Sequence, residues 1–316
     1  MGARNVIVSA VAALAVTALL PSSASAFCRM STCQPNKETC GPDPDNTSCT
    51  NVGDKTHARL FWSQPCVGFS IQQDTTVALP GSPADRYALV EKIANTGFAT
   101  WQNATCADGK APSLAFADLG PVACNKHEYN PSQPGAVAQG NANILLFRAD
   151  TWPYAGAANA FALTTDTYNV DSGEIYDADI EINAHPVGGT LTTGDTNTSV
   201  DLLSIVTHEA GHFLGLGHSP DASATMFGTY APGDTSHRIL HPDDVAAVCA
   251  LYPSTRVNLP ACDPTPRHGY SSDCAEVTTS PKGCAAAPGR GGALGALAAL
   301  STLGLAAALK RRRARR

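Results

Sequence analysis

The sequence predicts an α+β domain, and three observations carry that reading. Residues 83 to 102 repeat apolar side chains at helical spacing. A second apolar helical stretch opens at Asp201. Five short apolar or alternating runs precede and separate the two, each of strand length.

The first run, Gly68-Phe69-Ser70-Ile71, reads as a short strand. The helix after it places Tyr87, Val90, Ile93, Ala94, Gly97 and Trp101 on one stripe, with Ser82 as N-cap and Pro83 at the first helical position. Ser113-Leu114-Ala115-Phe116, Ala142 to Phe147 and Phe161 to Thr165 are apolar enough for three further strands. Glu174 to Asn183 alternates Ile175, Ala178, Ile180 and Ile182 with acidic residues, as a half-exposed strand does. The second helix, Asp201-Leu202-Leu203-Ser204-Ile205-Val206, is expected to take its cap from Thr198 or Ser199.

That helix runs into His208-Glu209-Ala210-Gly211-His212-Phe213-Leu214-Gly215-Leu216-Gly217-His218. Residues four apart share a helix face, so His208 and His212 can offer their rings to one point. Gly215 can take the left-handed conformation that ends a helix and return the chain, bringing His218 to the same point. Three imidazoles suit one zinc ion with a fourth position open to water, and Glu209, one step round the helix, is placed as general base. Closed structural zinc sites usually recruit cysteine instead.

This HExxHxxGxxH pattern, followed by Met226 in Ser219-Pro220-Asp221-Ala222-Ser223-Ala224-Thr225-Met226-Phe227, resembles the metzincin zinc metallopeptidases. Ser219 after the third histidine is similar to the matrixin branch. Leu240 to Pro253 resembles the closing helix of matrixin catalytic domains. The resemblance implies a twisted, mostly parallel five-stranded sheet with an antiparallel edge strand, two long helices and a C-terminal helix. It also implies Met226 beneath the metal, Tyr230 as a wall of the pocket for the residue after the cut, and a peptide substrate extended along an edge strand, here Ile175 to Ile182. Gly228 stands where some relatives carry a metal-binding tyrosine, so three protein ligands are expected. Calcium ions, known in matrixins, would find candidate ligands in Asp171, Asp177, Asp179 and Asp195. His185, His237 and His241 are candidates for a second zinc.

Both ends read as targeting segments. Arg4, an apolar run from Val6 to Leu20 and Ala24-Ser25-Ala26 form a signal peptide over residues 1–26, with the mature chain starting near Phe27. At the other end Cys284, a Gly/Ala/Pro hinge, an apolar run from Ala293 to Leu309 and a Lys/Arg tail resemble the MYXO-CTERM sorting signal over 284–316; an ordinary membrane anchor is the alternative. Between them the reading places a Cys-rich lead segment (27–59), the peptidase domain (60–253) and a Cys-containing stalk (254–283).

Net charge is −6, and without the basic tail and Arg4 it is −13, which leaves no electrostatic footprint for nucleic acid. Eleven cysteines, all beyond the signal segment, fit an oxidising compartment. Cys40 has two readings, a disulfide partner or a latency thiol for the zinc, as in matrixins; the arginine expected before a latency cysteine is replaced by Thr39. The chain is thus expected to act, as a monomer, as a secreted or surface-displayed zinc endopeptidase. The competing reading is a non-catalytic surface adhesion module that keeps a zinc-stabilised fold.

Overall fold

The computed structural model describes residues 26–34, 37–44, 46–50, 52–131, 140–186 and 189–273. In chain order the elements are β1 (Cys28–Arg29), β2 (Cys66–Gln72), α1 (Pro83–Gln102), β3 (Ala115–Val122), β4 (Ile144–Arg148), β5 (Ala162–Tyr168) and β6 (Ile175–Asn183). They continue with β7 (Leu191–Thr192), β8 (Val200–Asp201), α2 (Leu202–Phe213), β9 (Leu216–Gly217) and α3 (Pro242–Leu251). The five long strands form one sheet in the order β3-β2-β4-β6-β5, parallel throughout except for β5, which runs antiparallel to β6 at the edge. This is the expected α+β architecture.

The α1 helix forms where periodicity placed it. Ser82 accepts from the Asp85 amide while the Asp85 carboxylate accepts from the Ser82 amide, a reciprocal cap with Pro83 in the first turn. Its buried stripe of Val90, Ile93, Ala94, Phe98 and Trp101 lies against α2, and Gly97 admits Val206, which a Cβ would approach to 3.0 Å. Phe98 and Phe213 meet edge to face with centroids 5.1 Å apart, and Phe69 stacks on Phe98 from the sheet.

Four sequence expectations need correction. The cap of α2 is Asp201, whose carboxylate accepts from the Ser204 amide; β8 runs through Val200 to Asp201 and leaves Thr198 and Ser199 upstream of the helix start. The alternating strand is not half-exposed: every residue of β6 except Tyr176 is buried. Its acids at 179 and 181 are met by β4 and by loops, Asp179 accepting from the amides of Glu128 and Ile144, and Glu181 binding Arg148, His127 and Tyr154. Because β6 lies between β4 and β5, Ile175 to Ile182 is no edge, and the edge nearest the histidine helix is β5. Residues 254–273 are no free stalk. They return along the sheet through Cys66–Cys262, Ala123 N to Ser272 O at 2.9 Å and Asn141 N to Gly269 O at 2.8 Å.

Three more disulfides join Cys28 to Cys49, Cys33 to Cys40 and Cys106 to Cys249. Cys40 is therefore a disulfide partner and not a latency thiol. Among the described residues no helix is long and apolar enough to cross a membrane. The signal run and the segment with Cys284 lie outside the described residues.

Candidate active site

The site is assembled by α2, the turn after it and the loop before α3. The histidines at 208 and 212 share one face of α2, Gly215 turns the chain at φ +90°, and β9 carries it to His218. A side chain at 215 would also collide with the Leu60 carbonyl, its Cβ 2.5 Å from the oxygen. The three histidines bring ring nitrogens within 4.8 Å of one another.

Backbone carbonyls fix two of the rings. His208 Nδ1 donates to Thr225 O at 2.7 Å and His212 Nδ1 to Leu216 O at 2.8 Å, an assignment that leaves each Nε2 as a free lone pair. Burial drives His208 down to about 3 and His212 well below the ordinary histidine range, so both are neutral imidazoles, the form that binds metal. The donor set fits one zinc ion with an open fourth position.

Glu209 is buried, and its Oε2 accepts from Thr164 Oγ1 at 2.6 Å. Burial pushes its carboxyl up to about 7, against the lowering effect of that hydrogen bond. Thr164 stands on edge strand β5, so the Glu209 carboxylate is tied to the strand at the edge of the sheet.

Met226 lies against α2. Gly211, in the last turn of α2, gives it room: a Cβ there would stand 2.2 Å from Met226 Sδ and 2.8 Å from Trp101 Cζ2. Gly228 does the same for the third histidine, since a Cβ would stand 2.8 Å from His218 Nδ1. Tyr230 packs edge to face on Phe161 and on His237, with centroids 5.3 and 5.9 Å apart. Its hydroxyl accepts from the Asp201 amide and donates to Asp234 O.

A pair of adjacent acids, passed over in the sequence, organises the loop before α3. Asp244 accepts from the amides of Thr225 and Met226 at 2.7 and 3.0 Å, and Asp243 accepts from Ser219 Oγ at 2.7 Å. Their signal was visible as two consecutive acids opening an otherwise apolar helix. Thr164 gave none, because a threonine in a strand needs no explanation.

The four candidate calcium ligands do not form one cluster. Asp195 pairs with Arg238, Asp171 lies in the turn between β5 and β6, and Asp177 and Asp179 are inside the sheet. Nor do His185, His237 and His241 form a second metal centre. Among the described residues the one other potential cluster is Cys33, Glu38 and His57, where the Cys33–Cys40 disulfide removes the thiol.

The family model described as Matrixin matches residues 87–253, just over half of the chain and the whole of this site. The chain belongs to the matrixin family. Metalloendoproteinase 1-MMP of Arabidopsis thaliana is 36% identical over 115 residues, 35% of this matrixin and 29% of the relative. Human Matrilysin is 31% identical over 121 residues, covering 37% and 42% of the two chains. Human Matrix metalloproteinase-19 reaches 50% over 60 residues, 19% of this matrixin and 12% of the relative. The matched part thus spans less than half the length of each of these relatives.

Proposed function

We propose that this matrixin is an exported zinc endopeptidase. The observation that carries the reading is a buried carboxylate, Glu209, held by Thr164 next to three convergent neutral or exposed imidazoles. A structural site has no use for that carboxylate, which argues against a non-catalytic adhesion module.

Bound by His208, His212 and His218, zinc would supply Lewis acidity to the scissile carbonyl and lower the pKa of a water toward ~7. Glu209 takes the proton of the attacking water and passes it to the leaving nitrogen. Thr164 keeps one carboxylate oxygen occupied; among the described residues no hydrogen bond engages Oε1, which is free for the proton. The carbonyls of Thr225 and Leu216 hold the His208 and His212 rings, so little reorganisation of these two accompanies the reaction.

Strand β5 closes the sheet, and among the described residues one row of its backbone groups pairs with no further strand. An extended peptide would add to that edge, next to Glu209. Tyr230, with Phe161 and His237, would wall the subsite for the residue after the cut. Paired cysteines fit an oxidising exterior, and the two terminal segments would direct the domain there and hold it at a surface through Cys284.

The test is cleavage of casein by the purified protein. Activity should be abolished by a chelator, and Glu209→Gln should keep its zinc, measured by elemental analysis, yet cut at least 1000-fold more slowly on an order-of-magnitude scale. Equal rates for the two proteins would refute the role of Glu209.

A further inference from the structure

We infer that His237 is a recognition residue of the cleft: its imidazole reads the side chain that follows the cut, and this matrixin prefers an amide or hydroxyl side chain there. This rests on the reading of the site as a zinc peptidase with Tyr230 walling that subsite.

His237 lies on a single turn, Ser236–Arg238, in the chain between Met226 and α3. Its ring stands beside that of His208, with centroids 6.3 Å apart and planes only 21° from parallel. Tyr230 meets it edge to face at 5.9 Å, and Phe161, just before β5, meets Tyr230 in turn at 5.3 Å. The three rings form one wall that runs from the histidine site to the edge strand. Only 4% of His237 is exposed, yet among the described residues no hydrogen bond reaches either of its ring nitrogens. A wall that served packing alone would be as well built with phenylalanine. Leaving a buried polar group unpaired costs a factor of roughly 5–150 in an equilibrium. A substrate group that pairs with the imidazole recovers that factor, and an apolar one that shuts it off from solvent does not.

The turn is anchored on both sides of His237. Arg238 sets Nε and Nη2 on the two oxygens of the buried Asp201 carboxylate, each at 2.7 Å, and Nη1 on Asp195. The same Asp201 carboxylate caps α2 through the Ser204 amide. On the other flank Thr225, whose carbonyl fixes the His208 ring, donates through Oγ1 to Ile239 O at 2.6 Å. The imidazole is therefore held in place relative to the helix that carries His208, and meets a substrate without first having to be ordered.

A neutral imidazole offers one donor and one acceptor nitrogen. An amide or a hydroxyl carries both functions and pairs with whichever nitrogen faces it. A carboxylate can only accept, and the charges of Asp234 and Asp244 already act on this ring, so a further negative charge is disfavoured.

The test is a series of quenched peptides that differ only in the residue after the cut: Asn against its apolar isostere Leu, Gln against Met, and Asp. Cleavage is measured with the zinc-loaded whole exported protein, and binding of the same peptides with Glu209→Gln. The wild type should favour Asn over Leu and Gln over Met by at least about fivefold in kcat/KM, with Asp below Asn, and Glu209→Gln should bind them in the same order. His237→Phe keeps a ring in the wall and removes both nitrogens, so each preference should vanish or invert. A wild type that favours Leu and Met, or a His237→Phe protein with unchanged ratios, overturns the role of His237. Thermal unfolding reports the fold of the variant, and if His237→Phe does not fold, the wild-type ratios decide alone. A zinc-loaded wild type that cuts neither these peptides nor casein overturns the peptidase reading itself, a failure distinct from the first.

Discussion

Gly211→Ala sets two well-measured effects against each other, and the structure says which wins. In a solvent-facing helix the change is favourable by about 1 kcal/mol, because glycine has the greater conformational freedom to lose. At 211 the added methyl meets Met226 Sδ at 2.2 Å and Trp101 Cζ2 at 2.8 Å, where carbon contacts ordinarily lie at about 3.5–4.0 Å. The sulfur would have to retreat by roughly 1.5 Å. Both neighbours are buried and fixed: Trp101 Nε1 donates to Thr207 O at 2.8 Å, and the Met226 amide is held by Asp244 at 3.0 Å. Overpacking of this kind costs about 1–3 kcal/mol, and with two rigid partners the upper end applies, for a net loss of about 2 kcal/mol. For a domain of this size that lowers Tm by roughly 4–8 °C. Calorimetry on the metal-free protein measures it. A double-mutant cycle with Met226→Ala should show coupling of roughly 1–3 kcal/mol, since shortening the methionine vacates the space the methyl needs. A rise in Tm, or strictly additive costs, would show that Met226 does not fill the space beneath α2.

Two further outcomes follow from single side chains. Thr164→Val keeps the shape of β5 and removes the donor to Glu209; a hydrogen bond to a charged group is worth about 1.5–3 kcal/mol, so kcat should fall roughly 10–100-fold with KM little changed. A rise in KM at constant kcat would instead assign Thr164 to substrate binding. Asp166 is fully buried, no hydrogen bond among the described residues reaches either carboxylate oxygen, and burial raises its carboxyl well above the usual range. A raised folded-state value means that its stabilising proton is fully held below the unfolded value near 3.8 and is given up as pH rises through the folded one. Asp166→Asn should therefore gain stability relative to the wild type as pH rises from 4 to 8, read by urea unfolding. A gap that stays constant between pH 4 and 8 would contradict this.

Where local physics decides the outcome, the sequence was readable. The α1 helix announced its start through Ser82 and Pro83 and its face through a 3.6-residue stripe, and both appear in the structure. The histidine spacing on α2 and the left-handed turn at Gly215 are equally local, and they place the three rings together. What escaped depends on partners distant in the chain. The acids of β6 look solvent-facing until Arg148, His127 and the amides of Glu128 and Ile144 arrive from other segments. Which strand forms the edge is a property of sheet order, and alternation does not encode it. Residues 254–273 read as a stalk because their polar, proline-rich composition hides the Cys66–Cys262 link and the backbone pairing at Asn141.

The pairing of β1 with β9 sets a clock. Cys28 must wait for Gly217, and Cys66 for Cys262, 196 residues later. A chain that crosses a membrane N-terminus first therefore emerges with its opening strand unpaired, and cannot close around His218 until nearly the whole domain has followed. Such long-range closures make folding slow and leave the ends last to dock. By the order of its strands alone, the surroundings of His218 cannot be complete until both ends of the domain are present.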